Sequence, residues 1–229
     1  MNGRKSTSLL LIKVVIASCF LVPTVASAQT HPPLQRDDKQ LWNEVQLTAP
    51  LYENVDLQLG GALRVGRDVS HLVYERISMG FGFNPSKHLT LTPSYLYQSS
   101  QPLPNQKIFE NRISLNAALK FGLGKFALSD GNQIERRFVS SRPAFNRYRN
   151  RIRIEHPVSL SDVKFNLFVA DEVTYDWSVR LWTRNRLSIG IKKQFNRHYT
   201  GELFYMRQND AHAHPGDLNV VGTALRIRL

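Results

Sequence analysis

Residues 219–229 read Asn-Val-Val-Gly-Thr-Ala-Leu-Arg-Ile-Arg-Leu, and their pattern decides the fold. Val221, Thr223, Leu225, Ile227 and Leu229 fall on one face of an extended chain, with Gly222, Ala224, Arg226 and Arg228 on the other. A helix would scatter those arginines among the aliphatic residues, whereas a strand, with its period of two, separates them. The same alternation recurs upstream. It sets Val55, Leu57, Leu59 and Leu63 against Asp56, Gln58 and Arg64, and Ile77, Met79, Phe81 and Phe83 against Arg76, Ser78 and Gly80. It also sets Ile113, Leu115, Leu119 and Phe121 against Arg112, Asn116 and Lys120. About eleven such segments begin near residues 41, 54, 72, 88, 107, 125, 146, 163, 181, 198 and 219, with turn residues between them.

The connections alternate in length. Tight turns are expected around 50–54, 84–87, 122–124, 158–162 and 196–197, and longer loops near 66–71, 99–106, 140–146 and 209–217. Short turns at one end and longer loops at the other are the pattern of an outer-membrane β-barrel, with the short turns periplasmic. A soluble barrel or sandwich shares the alternation, so the aromatic residues arbitrate. Phe83, Phe121, Phe126, Phe165, Phe195 and Tyr199 lie beside short turns, while Tyr97, Phe109, Phe138, Tyr148, Tyr175 and Tyr205 lie toward the longer loops. Those are the two girdles of a bilayer-spanning barrel, and the last segment runs to Leu229 as a closing strand would. The expected fold is all-β, an antiparallel transmembrane barrel of about 10–12 strands over residues 41–229. Bacterial barrels favour even numbers, so twelve strands is the preferred expectation and ten the next.

Composition bounds the function. The chain has 229 residues, with 30 Lys+Arg against 18 Asp+Glu and a single cysteine, Cys19. A disulfide framework and a cysteine zinc site are therefore excluded. No apolar run is long enough for a membrane helix, because Lys13 and Pro23 break the best candidate. Residues 1–28 read as a secretory signal: Arg4 and Lys5 form the basic start, Val14 to Val22 the apolar stretch, and Ala26-Ser27-Ala28 the cleavage pattern. Ile16-Ala17-Ser18-Cys19 loosely matches a lipoprotein site, but the apolar stretch continues past it. Removing residues 1–28 takes away Arg4, Lys5 and Lys13 and no acid, leaving 27 basic and 18 acidic side chains, net +9. A polar lead, 29–40, follows. An exported basic protein rarely meets nucleic acid, so no nucleic-acid partner is expected. The expected location is the Gram-negative outer membrane, with outer-membrane lipid, lipopolysaccharide and the barrel-assembly machinery as partners.

With the apolar face in lipid, the alternate positions line the interior, and they are rich in charge. Arg147, Arg149, Arg151, Arg153 and Glu155 form a ladder at two-residue spacing. Neighbouring segments add Glu135 and Arg137, Glu172, Arg184 and Arg186, and Glu202, and earlier ones Arg64, Arg76, Glu110 and Arg112. Rings of arginine would favour passage of small anionic solutes. The same residues could instead pair across a narrow lumen and fill it, leaving a closed barrel with a structural or surface-binding role.

The segments Asn150-Arg151-Ile152-Arg153-Ile154-Glu155, Asp171-Glu172-Val173-Thr174-Tyr175-Asp176, Arg184-Asn185-Arg186 with Gly190, and Glu202-Leu203-Phe204-Tyr205-Met206-Arg207-Gln208 carry a resemblance. They resemble a widespread bacterial family of uncharacterised outer-membrane barrels, a domain of unknown function. The resemblance covers most of the exported chain, with its most specific part between about Glu135 and Gln208. It implies the fold and the location and lends no activity. The charged members of these motifs are expected inward or at strand ends.

Catalytic chemistry finds little support. His156 with Ser159 and Ser161 is the nearest Ser/His grouping, but it lies by a short turn, whereas a lipid hydrolase needs its site at the outer leaflet. His88 and His198 are single residues beside short turns. The loop Asp210-Ala211-His212-Ala213-His214-Pro215-Gly216-Asp217 could bind a divalent metal through His212 and His214, but a polar Pro-Gly turn is the preferred account of it. No enzyme, metal or cofactor is expected. Gly60, Gly61, Gly80 and Gly82 are expected where a large side chain crosses the lumen or a strand bends.

Overall fold

The computed structural model describes residues 37–213 and 215–229. Five strands make up its first half: β1 (Asp37–Tyr52), β2 (Val55–Gly66), β3 (His71–Ser86), β4 (Leu89–Leu103) and β5 (Gln106–Leu123). Six more follow: β6 (Phe126–Val139), β7 (Arg142–Leu160), β8 (Val163–Asp176), β9 (Leu181–Gln194), β10 (Tyr199–Asp210) and β11 (Asp217–Arg228). Each pairs with its chain neighbours, and β1 pairs with β11, so the sheet closes into a barrel with no free edge. The export signal read at residues 1–28 lies outside the described residues.

The expectation of twelve strands is corrected: the described residues form eleven. Going round an odd number of alternating strands, the first and last run the same way, so the seam must be parallel. β1 and β11 pair in parallel with Leu41 opposite Val221 and Trp42 opposite Gly222, and every other pair is antiparallel. The parallel seam also puts the start of β1 and the end of β11 at opposite ends of the barrel. Side chains reinforce it. Thr223 Oγ1 donates to Asn43 Oδ1 at 2.8 Å, and Arg207 on β10 reaches Asp37 at 3.2 Å and Asp217 at 3.5 Å.

Two of the longer loops are corrected too. Residues 99–103 and 142–146 continue the strands to tight turns at 104–105 and 140–141, with Ser99 opposite Phe109 and Arg137 opposite Phe145. Their polar composition marks a rim above the apolar band; it does not mark the end of backbone pairing. The end bearing the turns at 53–54, 87–88, 124–125, 161–162 and 195–198 is called the short-turn end below, and the other the loop end.

The wall is inside-out relative to a soluble protein. Ile77, Ile113, Leu115, Ile134, Leu187, Ile189 and Leu203 are exposed on the outside, while Glu110, Glu135 and Thr174 are among the most buried side chains. Apolar-out and polar-in alternation on closed strands is the arrangement of a transmembrane barrel. Beside the seam, Trp42, Met206, Leu218 and Val220 form an apolar cluster in the interior, with Phe204 packed against it. Phe204 lies over Gly222, where a Cβ would collide with its ring, and Gly190 leaves room for Phe168 in the same way. Gly82 carries out the expected role, lying under the Gln58 side chain.

The β2–β3 turn is held in an uncommon conformation. Arg67, Asp68 and Val69 have φ of 53°, 54° and 64°, a left-handed run that costs side chains with a Cβ. The carboxylate of Asp38, at the start of β1, offsets that cost by accepting the N–H groups of Arg67 (3.1 Å) and Asp68 (2.8 Å).

Candidate functional site

The strand register brings the inward-facing charges together in three tiers. At the loop end, Asp176 accepts Arg147 (3.4 Å) and Arg142 (3.5 Å), and Asp210 accepts Arg184 Nε at 2.6 Å. In the middle, Glu110 takes Arg137 through both oxygens (2.6 and 2.5 Å) and Arg112 at 2.9 Å. Glu135 takes Arg112 (3.2 Å), Arg149 (2.9 Å) and the amide of Gln133 (3.1 Å). Glu172 takes Arg186 (3.1 Å) and Arg149 (3.6 Å). Toward the short-turn end, Arg153 is bidentate to Glu202 (3.0 Å each), which also takes Arg226. Arg153 Nε meets Glu155 at 2.8 Å, and Glu155 also holds Lys192.

These contacts reach across the lumen as well as along its wall. Arg153 on β7 meets Glu202 on β10, and Arg186 on β9 lies 5.2 Å from the ring centre of Trp42 on β1. Arg64 lies over Trp42 at 3.5 Å and over Tyr74 at 4.0 Å, so a guanidinium is stacked between aromatic faces beside the seam. Arg76 pairs with Glu44 at 3.7 Å. Glu110 and Glu135 are each 1% exposed, so the protein's own cations replace the water around these carboxylates. Dehydrating ions is expensive, and what offsets it is a two-oxygen grip by Arg137 at Glu110 and, at Glu135, the cations of Arg112 and Arg149 gathered on Oε1.

Every lining residue named from the sequence points inward, but the arginines of the ladder are not equivalent. Arg147, Arg149 and Arg153 are held by carboxylates, whereas Arg151 is exposed to the lumen and makes no ion pair among the described residues. Its register partners explain this. Opposite it stand Gly131, with no side chain, and Glu172, whose carboxylate is already shared by Arg149 and Arg186. Cavities remain beside the network. One of about 260 Å³ is lined by Glu44, Gln58, Arg76, Ser94, Asn116 and others. One of about 250 Å³ lies at the loop end among Arg142, Arg147, Asp176, Thr183 and Arg184. They share no lining residue.

The remaining candidates resolve locally. His156 stacks on Phe126 at 4.8 Å, and no hydrogen bond joins it to Ser159 or Ser161 among the described residues. His88 and His198 approach backbone carbonyls of the next strand, at Lys120 (3.0 Å) and Arg228 (2.6 Å). Asp210 is occupied by Arg184 and by the N–H of His212 (2.9 Å), and the described residues hold no cluster of three metal-ligating side chains. His214 lies outside the described residues. One expectation is corrected: Asp171 and Arg207, charged members of the motifs quoted above, face outward from within β8 and β10.

A family model described as a protein of unknown function matches residues 39–219, from near the start of β1 to the start of β11. The chain belongs to the DUF2490 family. No curated protein matches it in sequence. Among solved structures the family's barrel is similar to LpxR from Salmonella typhimurium, at 6% identity and TM-score 0.46, over 75% of this chain and 83% of that one. It is also similar to an anion-selective porin from Comamonas acidovorans, at 13% identity and TM-score 0.39, over 77% of this chain and 53% of the porin. The siderophore receptor PirA from Pseudomonas aeruginosa matches at 9% identity and TM-score 0.30, over 72% of this chain and 34% of the receptor.

Proposed function

We propose that this DUF2490 protein is an outer-membrane barrel closed at mid-height by its own Arg/Glu network, and that it acts through its surfaces. The observation that carries this reading is the 1% exposure of Glu110 and Glu135: a water-filled path past these carboxylates would hydrate them. The signal read at residues 1–28 and the apolar outer wall support export to the Gram-negative outer membrane. Its partners are then the lipids and lipopolysaccharide of that membrane and the machinery that assembles barrels. No catalytic step is assigned.

A second reading, a passive channel for small anions, draws on Arg151, a cation that faces the lumen and has no ion pair among the described residues. Liposome swelling separates the two. With the chain refolded into liposomes made permeable to K+ by valinomycin, and insertion verified by flotation, swelling in isosmotic potassium gluconate is expected at the protein-free rate. Faster swelling in gluconate than in an uncharged sugar of similar size would favour the channel.

A further inference from the structure

The outer wall carries polar residues where the apolar band should be unbroken. On β6 the outward positions run Phe126, Leu128, Asp130, Asn132, Ile134, Arg136 and Phe138, so an acid and an amide stand in the middle of an apolar phase. The register extends them over four strands as three stacked rows. Tyr148, Tyr175 and Trp182 form an aromatic row nearest the loop end. Asn132, Asn150, Val173 and Asn185 form the next. Asp130, Ile152, Asp171 and Leu187 form the third.

The polar members form two hydrogen-bonded groups side by side on the same outer face. Asn150 donates to Asp130 (2.6 Å) and Asn132 (3.1 Å), Asn132 donates to Asp130 (3.1 Å), and the Tyr148 hydroxyl donates to Asn132 (2.5 Å). Asn185 donates to Asp171 at 2.7 Å. The second oxygen of Asp171 and the carbonyl oxygen of Asn185 accept nothing among the described residues, and Asp171 is exposed. Trp182, packed on Tyr148 and Tyr175 at 6.3 and 5.4 Å, is 49% exposed.

An ionisable side chain aimed at hydrocarbon is costly and calls for a partner. Acyl chains supply no donors. The open atoms here are acceptors, so the partner brings hydroxyl or amide N–H groups, and the two carboxylates disfavour an anion at that level. The aromatic row offers flat faces on which the C–H face of a sugar ring can lie. Four strands span roughly 14 Å at about 4.8 Å per strand, the width of a disaccharide and more than a single ethanolamine head group.

We infer that this patch binds a glycolipid of the surrounding leaflet, with a sugar on Tyr148, Tyr175 and Trp182 and the hydroxyl and amide groups of its acyl linkages on Asp171, Asn185 and Asn150. The inference rests on the membrane placement proposed above and not on whether the lumen conducts.

The test is native mass spectrometry of the full chain in nanodiscs containing lipid A or phosphatidylethanolamine, with insertion checked in the same samples by heat-modifiable migration. The chain retains lipid A at least tenfold over phosphatidylethanolamine, and a variant carrying Asp171→Leu and Asn185→Leu loses that preference. The variant still inserts, because both changes replace polar side chains with apolar ones on a lipid-facing wall. Equal retention of the two lipids, or an undiminished preference in the variant, overturns the inference. So does a wild-type dimer without lipid A that the variant converts to monomer, because the patch then binds a second copy. Failure to insert would instead be a failure of the membrane placement.

Discussion

Arg149 and Arg151 are two residues apart on β7, face the same lumen, and carry the same charge, yet the structure gives them different roles. Arg149 holds Glu135 at 2.9 Å, Glu172 at 3.6 Å and Gln133 at 2.8 Å, while Arg151 has no ion-pair partner among the described residues. Breaking a buried ion pair by removing one partner costs about 3–5 kcal/mol. Glu135 retains Arg112 and Glu172 retains Arg186, so Arg149→Gln is expected near the lower limit, about 3 kcal/mol. Arg151→Gln breaks no close ion pair among the described residues and is expected to cost less than about 0.5 kcal/mol. Urea unfolding of each variant in vesicles, followed by loss of heat-modifiable migration, measures the difference. Equal midpoints for the two variants would refute the assignment of Arg149 to a structural network, and a larger loss for Arg151→Gln would reverse it.

Two further predictions concern the ends of the network. Trp42→Ala removes the largest member of the apolar cluster beside the seam and the ring beneath Arg64, and should cost about 3–5 kcal/mol in the same assay. Asp38→Ala removes the acceptor for the Arg67 and Asp68 N–H groups, so the left-handed run in the β2–β3 turn loses its restraint. Hydrogen exchange at residues 66–71 should rise by about tenfold or more, corresponding to 1–3 kcal/mol for an unmet buried donor, with the rest of the barrel unchanged. Unaltered protection there would show that the turn is held by something other than this carboxylate.

Period-two alternation made most of the barrel legible, because each strand is half in lipid and half in the lumen. The expected starts near 54, 72, 88, 107, 125, 163, 181 and 198 lie within a residue or so of the observed ones. Closure was harder to read. Whether β1 meets β11 in parallel depends on a pairing between chain ends 180 residues apart, such as Leu41 with Val221, and no local pattern encodes it. The strand extensions at 99–103 and 142–146 were hidden for another reason, since polar residues above the lipid pair their backbones as well as apolar ones do.

At the lumen, alternation identified the side that Arg147, Arg149, Arg151 and Arg153 face but not their partners. Shear carries Arg153 on β7 to Glu202 on β10, 49 residues on, and leaves Arg151 opposite Gly131. The outward rows leave a mark in the sequence too: Asp130 and Asn132 interrupt the apolar phase of β6, and Asn150 and Asp171 do the same on β7 and β8.

Planar-bilayer recording of the refolded chain under a salt gradient tests most directly whether the Arg/Glu network closes the lumen. With insertion shown independently by flotation of the same preparation, a closed lumen leaves the membrane silent. Stable conductance steps with an anion-selective reversal potential would contradict it.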